Sequence, residues 1–197
     1  MLRATNRLAE AEPLYRRAVA IDEASLGKDH PNVAIRLNNL AQLLCATNRL
    51  AEAEPLMRRV ADIFAGTFGE NHSNVAVAVN NLAALLEATG RVDGAEAMYR
   101  RALGIDETSF GKDHPDVARD LNNLAALYYA TNRLAEAEPL MRRHLEIFVA
   151  FTVATGHAHP HLQAATNNYG ILLEEMGDTE AQAREKIAKI LAPIREK

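Results

Sequence analysis

Apolar residues recur along this chain at i, i+3, i+4 and i+7, the spacing of one stripe on an α-helix. One set reads Leu37, Leu40, Ala41, Leu44, then Val79, Leu82, Ala83, Leu86, then Leu121, Leu124, Ala125, Tyr128. A second set follows each first one: Leu50, Ala53, Met57, Val60, Phe64, and later Leu134, Ala137, Met141, Leu145, Phe148. The pattern predicts pairs of amphipathic helices over 31–68, 73–110 and 115–155. An unpaired second helix is expected within 1–28, and a divergent pair or cap over 160–197.

The polar residues between the stripes repeat as well. ATNRLAEAEPL occurs three times, at Ala4–Leu14, Ala46–Leu56 and Ala130–Leu140. LNNLA stands at Leu37–Ala41 and Leu121–Ala125, VNNLA at Val79–Ala83 and TNNYG at Thr166–Gly170. GKDHP at Gly27–Pro31 and Gly111–Pro115 shares its slot with GENHS at Gly69–Ser73 and GHAHP at Gly156–Pro160. The Asn pairs lie 42, 42 and 45 residues apart. One active site has no use for such recurrence, whereas stacked copies of one unit do.

Punctuation supports these bounds. Gly27, Gly69, Gly111 and Gly156 stand where a helix should stop, and Asn48 and Asn132 where a cap should start the next. Pro31, Pro115 and Pro160 fit a first helical position. Pro13, Pro55 and Pro139 fall about two turns inside a helix, where proline costs about 3 kcal/mol. Ala97 fills that slot in the third copy, so a kinked but continuous helix is expected. Small residues at Ala41, Ala83, Ala125 and Gly170, opposite Ala11, Ala53, Ala95 and Ala137, allow close helix approach.

At its start, Met1–Asn6 aligns with the tail of a first helix, so Leu8, Ala11, Leu14, Tyr15 and Ala18 are expected to be partly uncovered. Either a longer array continues there, or that face meets a partner or a second copy. At the other end, Ala183, Ile187, Ile190, Leu191 and Ile194 form one stripe among charged faces, as a terminal cap requires. The three extra residues lie within Phe148–Gly156 and lengthen a helix by about one turn.

Composition narrows the functional classes. The chain has 197 residues, a net charge of −4 and no Trp. Acids and bases interleave, which argues against a nucleic-acid surface. Cys45 is the single cysteine, which fits a reducing compartment. No run reaches the ~18–20 apolar residues of a membrane span, and no signal-peptide stretch opens the chain. A cytoplasmic location is expected.

The 42-residue unit, its small residues in both helices, LNNLA and G-x-x-HP together resemble kinesin-light-chain-type tetratricopeptide repeats over essentially the whole chain. The resemblance implies an all-α fold, a right-handed α-solenoid of stacked antiparallel helix pairs in one array over 1–197. First helices would line a concave groove. It also implies a protein that binds partners and is not an enzyme.

Asn is a mediocre helix former, because its side chain competes for backbone hydrogen bonds. Eight of them in helix interiors therefore need a reason. A carboxamide both donates and accepts, which matches the backbone of an extended peptide. In similar repeat proteins the second Asn of such a pair faces bound peptide. Carried over, this selects Asn39, Asn81 and Asn123, and Asn168 in the divergent copy. Asn38, Asn80 and Asn122 are candidates too, with bonding between neighbouring helices the competing role. One turn away, the same face takes Ile35, Val77, Arg119 and Ala164 before the second Asn, and Gln42, Ala84, Ala126 and Ile171 after it. Arg119 is the one clear cation of this face. Kinesin light chains favour acidic, aromatic-containing peptides through basic groove residues; that basic set is thin here, and the specificity does not transfer.

Other patterns have plainer explanations. Glu12, Glu54, Glu96 and Glu138 stand four residues before the Arg pairs 16–17, 58–59, 100–101 and 142–143, which makes these solvated helix-surface pairs. Three imidazoles at His157, His159 and His161 suit Zn, Ni or Cu. Yet His159 occupies the loop slot of His30, His72 and His114, and no metal or cofactor is assigned. His144 takes an alanine-like packing slot, and Cys45 is a small packed residue. No catalytic set or phosphate loop appears. The chain thus reads as a module that binds an extended peptide or partner segment through an Asn ladder. The alternative is a structural or self-associating segment of a longer array, acting through the uncovered N-terminal helix.

Overall fold

The computed structural model describes residues 2–195, with side chains for residue 8 and residues 10–194. Nine α-helices and no strand occur among the described residues: α1 (Leu2–Leu26), α2 (Pro31–Ala46), α3 (Leu50–Phe68), α4 (Ser73–Ala88), α5 (Val92–Phe110), α6 (Pro115–Ala130), α7 (Leu134–Thr155), α8 (Leu162–Glu175) and α9 (Glu180–Arg195). The fold is all-α and of the α-solenoid class, built from antiparallel helix pairs. Two compact units divide it, Met1–Ile105 and Asp106–Lys197.

The sequence stripes are the core. Val33, Leu37, Leu40, Ala41 and Leu44 of α2 are buried, as are Val75, Val79, Leu82, Ala83 and Leu86 of α4. Ala53, Met57 and Val60 of α3 are buried too. In the second unit Leu121, Leu124, Ala125 and Tyr128 of α6 share a core with Ala137, Met141, Leu145 and Phe148 of α7. Alanines at the helix crossings, such as Ala41, Ala53, Ala83 and Ala125, are fully buried, so neighbouring backbones approach closely. Pro13, Pro55 and Pro139 lie inside continuous helices.

The turns revise two expectations. Asn48 and Asn132 do not cap the following helix. They have φ of 60° and 58°, and the N-cap residues are Arg49 and Arg133, neither with a side-chain cap bond. Arg49 N–H donates to the Leu44 carbonyl at 2.8 Å and Asn48 N–H to the Cys45 carbonyl at 2.9 Å. Asn48 is thus the left-handed residue that closes α2, a position Asn tolerates and Gly prefers. Gly90 takes the same slot at φ 75°. Pro160 does not open α8, which begins at Leu162. His159 N–H donates to Thr152 Oγ1 at 3.1 Å, and its ring stacks on Phe148 at 3.9 Å. Holding the chain at 159 delays the helix.

The first copy of ATNRLAEAEPL also departs from the other two. α1 is helical from Leu2, where residues 47–49 and 131–133 turn. The side chains of residues 2–7, at the start of that copy, lie outside the described set. α7, with 22 residues against 19 in α3 and α5, contains the three extra residues.

Candidate functional site

The first helices of each unit carry the paired asparagines. In the first unit Asn81 Nδ2 donates to Asn38 Oδ1 at 3.0 Å, joining α4 to α2. Asn38 therefore holds neighbouring helices together, and so does a second-position Asn. Asn39 is half-buried and its carboxamide has no hydrogen-bond partner among the described residues. Asn80 and Asn123 are engaged in interactions within the fold. Asn122 and Asn168 have no hydrogen-bond partner among the described residues, and Gln163 Nε2 donates to Asn167 Oδ1 at 2.8 Å.

Burial around Asn39 and Asn81 is informative. Ile35 is 49% exposed and Val77 42%, each four residues before its Asn. Every other Val, Ile or Leu of α2 and α4 is buried. Gln42 and Ala84, three residues beyond, are exposed. Gln42 and Asn81 share a cavity of about 500 Å3 with Cys45, Asn48, Leu50, Met57, Ala84, Leu85 and Ala88. Asn39 lies outside that lining.

In the second unit a cavity of about 420 Å3 brings together Arg119, Asn122 and Asn168 with Asp116, His144, Phe148, His159 and His161. Asn123 is not among its lining. Arg119 is not an open cation. Its guanidinium reaches Asp106 Oδ2 at 2.9 Å, Asp116 Oδ1 at 3.1 Å and Asp120 Oδ1 at 3.1 Å. Asp106 and Asp120 are buried. Burial lifts the Asp120 carboxyl to about 7, against the lowering pull of Arg119. Asp106 is raised as well, chiefly by burial. The two carboxyls share one guanidinium in a buried setting, and the nearby charge of Asp106 adds to the rise at Asp120.

Histidine supplies caps that the sequence reading missed. The Nδ1 atoms of His30, His72 and His114 accept from the N–H of Asn32, Asn74 and Asp116, each at 3.1 Å. His159 Nδ1 accepts from His161 N–H in the same i, i+2 geometry at 3.2 Å. Phe68 stacks on His72 and Phe110 on His114. The Phe-x-x-x-His spacing was the available signal. His144 is more than a packing variant: its Nδ1–H donates to the Ala118 carbonyl at 2.7 Å, and burial lowers its basicity. Among the described residues no three His, Cys, Asp or Glu converge as metal ligands.

The arginines divide by role. Arg16 and Arg58 pair with Glu12 and Glu54 along their own helices, as expected. The second Arg of a pair reaches elsewhere. Arg59 bonds Glu23 and the Lys28 carbonyl, and Arg143 bonds Glu107 and the Lys112 carbonyl. The Arg after each of these turns is a clasp between repeats: Arg49, of ATNR, reaches Glu12 at 2.6 Å, and Arg91, of ATGR, reaches Glu54 at 2.7 Å. Hydrogen bonds from Arg91 bring Glu54 down to about 2.

Comparison with known proteins places this geometry. The tetratricopeptide repeat family model matches residues 1–66, 34–108 and 74–148. No curated protein matches. Among solved structures, BtubC (BKLC) from P. vanneervenii is similar at 26% identity with a TM-score of 0.79, over 98% of this chain and 75% of that one. Two crystal structures of Podosopora anserina kinesin-light-chain-type proteins with nearly identical TPR-like repeats share the fold. One has a TM-score of 0.74 at 24% identity, over 99% of this chain and 92% of that one. The other has 0.71 at 23%, over 98% and 89%. Tetratricopeptide repeats generally mediate protein–protein interaction, and among the described residues no helix is long and apolar enough to cross a membrane. With the family model matching from residue 1 to residue 148, the chain belongs to the tetratricopeptide repeat family.

Proposed function

We propose that the first-helix faces bind an extended peptide or partner segment. Asn39, Asn81, Asn123 and Asn168 are the principal contacts, supported by Asn38, Asn80, Asn122, Gln42 and Arg119. The observation that carries this reading is the exposure of Ile35 and Val77. They are the large aliphatic residues left out of the core in α2 and α4, and each sits one turn from a half-buried Asn. An apolar contact beside a carboxamide suits a peptide, whose side chains need burial and whose backbone needs donors and acceptors. The partner is a protein rather than nucleic acid or a membrane, since charge is interleaved and net acidic at −4. A cytoplasmic location accords with the single thiol. Arg119, already bound by three aspartates, gives no reason to favour an acidic peptide.

A peptide-display selection against the parent chain and an Asn39/Asn81/Asn123→Ala variant tests this, once circular dichroism shows both folded. Peptides enriched by the parent and lost by the variant are expected. Enrichment indifferent to the Asn changes would remove the ladder from the account.

A second reading has its own observation. Ile21 is 55% exposed, whereas Ile63, its equivalent one repeat on, is 4% exposed. Leu14 of the same helix is 68% exposed. This supports self-association or array-like stacking through α1. Sedimentation of the parent and an Ile21→Glu variant tests it: a dimer lost on substitution supports it, and a monomeric parent at high concentration counts against it.

A further inference from the structure

We propose that the cavity between α2, α3 and α4 seats one large uncharged apolar side chain of the bound segment, Leu, Met or Phe in kind, while Gln42 and Asn81 at its rim bond the flanking peptide groups. The proposal rests on the peptide-binding reading above and adds its anchor.

The cavity measures about 500 Å3. Its floor is apolar, with Met57 and Leu85 almost fully buried beneath it. Neither a carboxylate nor a cationic side chain stands among the lining residues. A charged side chain entering here would lose water and gain no counter-charge. A small polar one would leave the floor wet. A large apolar side chain removes apolar surface from water on both partners, the usual basis of an anchor in a concave site.

The rim supplies the other half of the recognition. Gln42 is exposed and has no hydrogen-bond partner among the described residues, so both its donor and acceptor are open. Asn81 is held by its bond to Asn38 at 3.0 Å, which orients the remaining polar edge of its carboxamide. Two carboxamides on either side of an apolar well match an extended segment, whose peptide groups flank each side chain.

Cys45 lines the same cavity and is the only cysteine of the chain, so its thiol reports occupancy. The probe is a phage library of random decapeptides, followed by synthesis of the enriched sequences. Enriched peptides should share one Leu, Met or Phe at a fixed position, and bound peptide should slow alkylation of Cys45 by N-ethylmaleimide about tenfold. Replacing the shared residue by Ala in the peptide should weaken binding at least about tenfold. Ala84→Glu, at an exposed position, should abolish both binding and protection, while Ala135→Glu, at an exposed position of α7 in the second unit, leaves protection intact. If Ala84→Glu misfolds, Cys45 protection and the Ala-substituted peptide decide the matter. Peptides that bind in an Asn-dependent way yet share no apolar residue, or leave Cys45 equally reactive, overturn the anchor and spare the peptide-binding reading. Recovery of no binding peptide overturns both.

Discussion

Asn48 shows how one residue type carries two jobs in this chain. At φ 60° it closes α2, while a few residues earlier Asn38 joins helices and Asn39 stands open. The left-handed position is what constrains Asn48. Asn48→Gly should leave stability within about 0.5 kcal/mol, and Asn48→Val should cost about 1–2 kcal/mol in urea unfolding. Equal effects of the two would deny the turn its role. The Asp106–Asp120 pair makes a second residue-scale prediction. Burial raises Asp120 from 3.8 to about 7, so the folded chain holds this proton more tightly than the unfolded one. The resulting stability is full below about pH 4 and is lost as pH rises through about 7. Relative to Asp120→Asn, the parent should lose about 1–3 kcal/mol between pH 5 and pH 8. A pH-independent difference would show that the pair is not protonated. Neither residue role was legible beforehand: Asn48 fits a cap and a left-handed turn equally well in sequence, and Asp106 and Asp120 look like ordinary helix-surface acids until packing buries them.

At the level of the helix, periodicity sufficed. Most stripe residues that placed α2, α3, α4, α6 and α7 are buried, with Leu50, Phe64 and Leu134 half-buried, because a 3.6-residue period leaves only one face to bury. Local sequence did not suffice at ATNRLAEAEPL, which turns at 47–49 but continues as helix in α1. In the second copy the Arg49 clasp to Glu12 and the packing of α2 on α3 stabilise the turn; intrinsic propensity is a weak prior beside such contacts. The start of α8 escaped for a similar reason, since the His159–Phe148 stack outweighs the proline signal. Equivalent positions then behave differently under substitution. Ile63→Glu, in the core, should cost more than about 3 kcal/mol, while Ile21→Glu should change stability by less than about 0.5 kcal/mol. Thermal unfolding of the two variants separates them, and similar losses would mean that α1 is covered in solution.

Across the whole molecule, interactions recur by repeat rather than converge on one centre. Turn arginines clasp the previous repeat's Glu, histidines cap first helices, and alanines set the helix spacing. Arg49→Ala should therefore lower the urea midpoint slightly, an exposed-pair effect, and the loss should shrink in 1 M salt; salt-independent loss would assign the effect to packing instead. The candidate site was legible in part. The family resemblance selected Asn81, and helical spacing from the second Asn added Ile35, Gln42 and Val77; all four are exposed or half-buried. Neither could show that Asn81 bonds Asn38, that Arg119 is neutralised, or that Gln42 and Asn81 border one cavity, because each depends on residues distant in sequence. This face is proposed to hold a peptide. The most direct test is to titrate an enriched peptide into isotope-labelled protein and follow backbone amide and side-chain carboxamide resonances. Shifts centred on Ile35, Asn39, Gln42, Val77 and Asn81 are predicted; shifts confined to α1, or none at saturating peptide, would contradict the account.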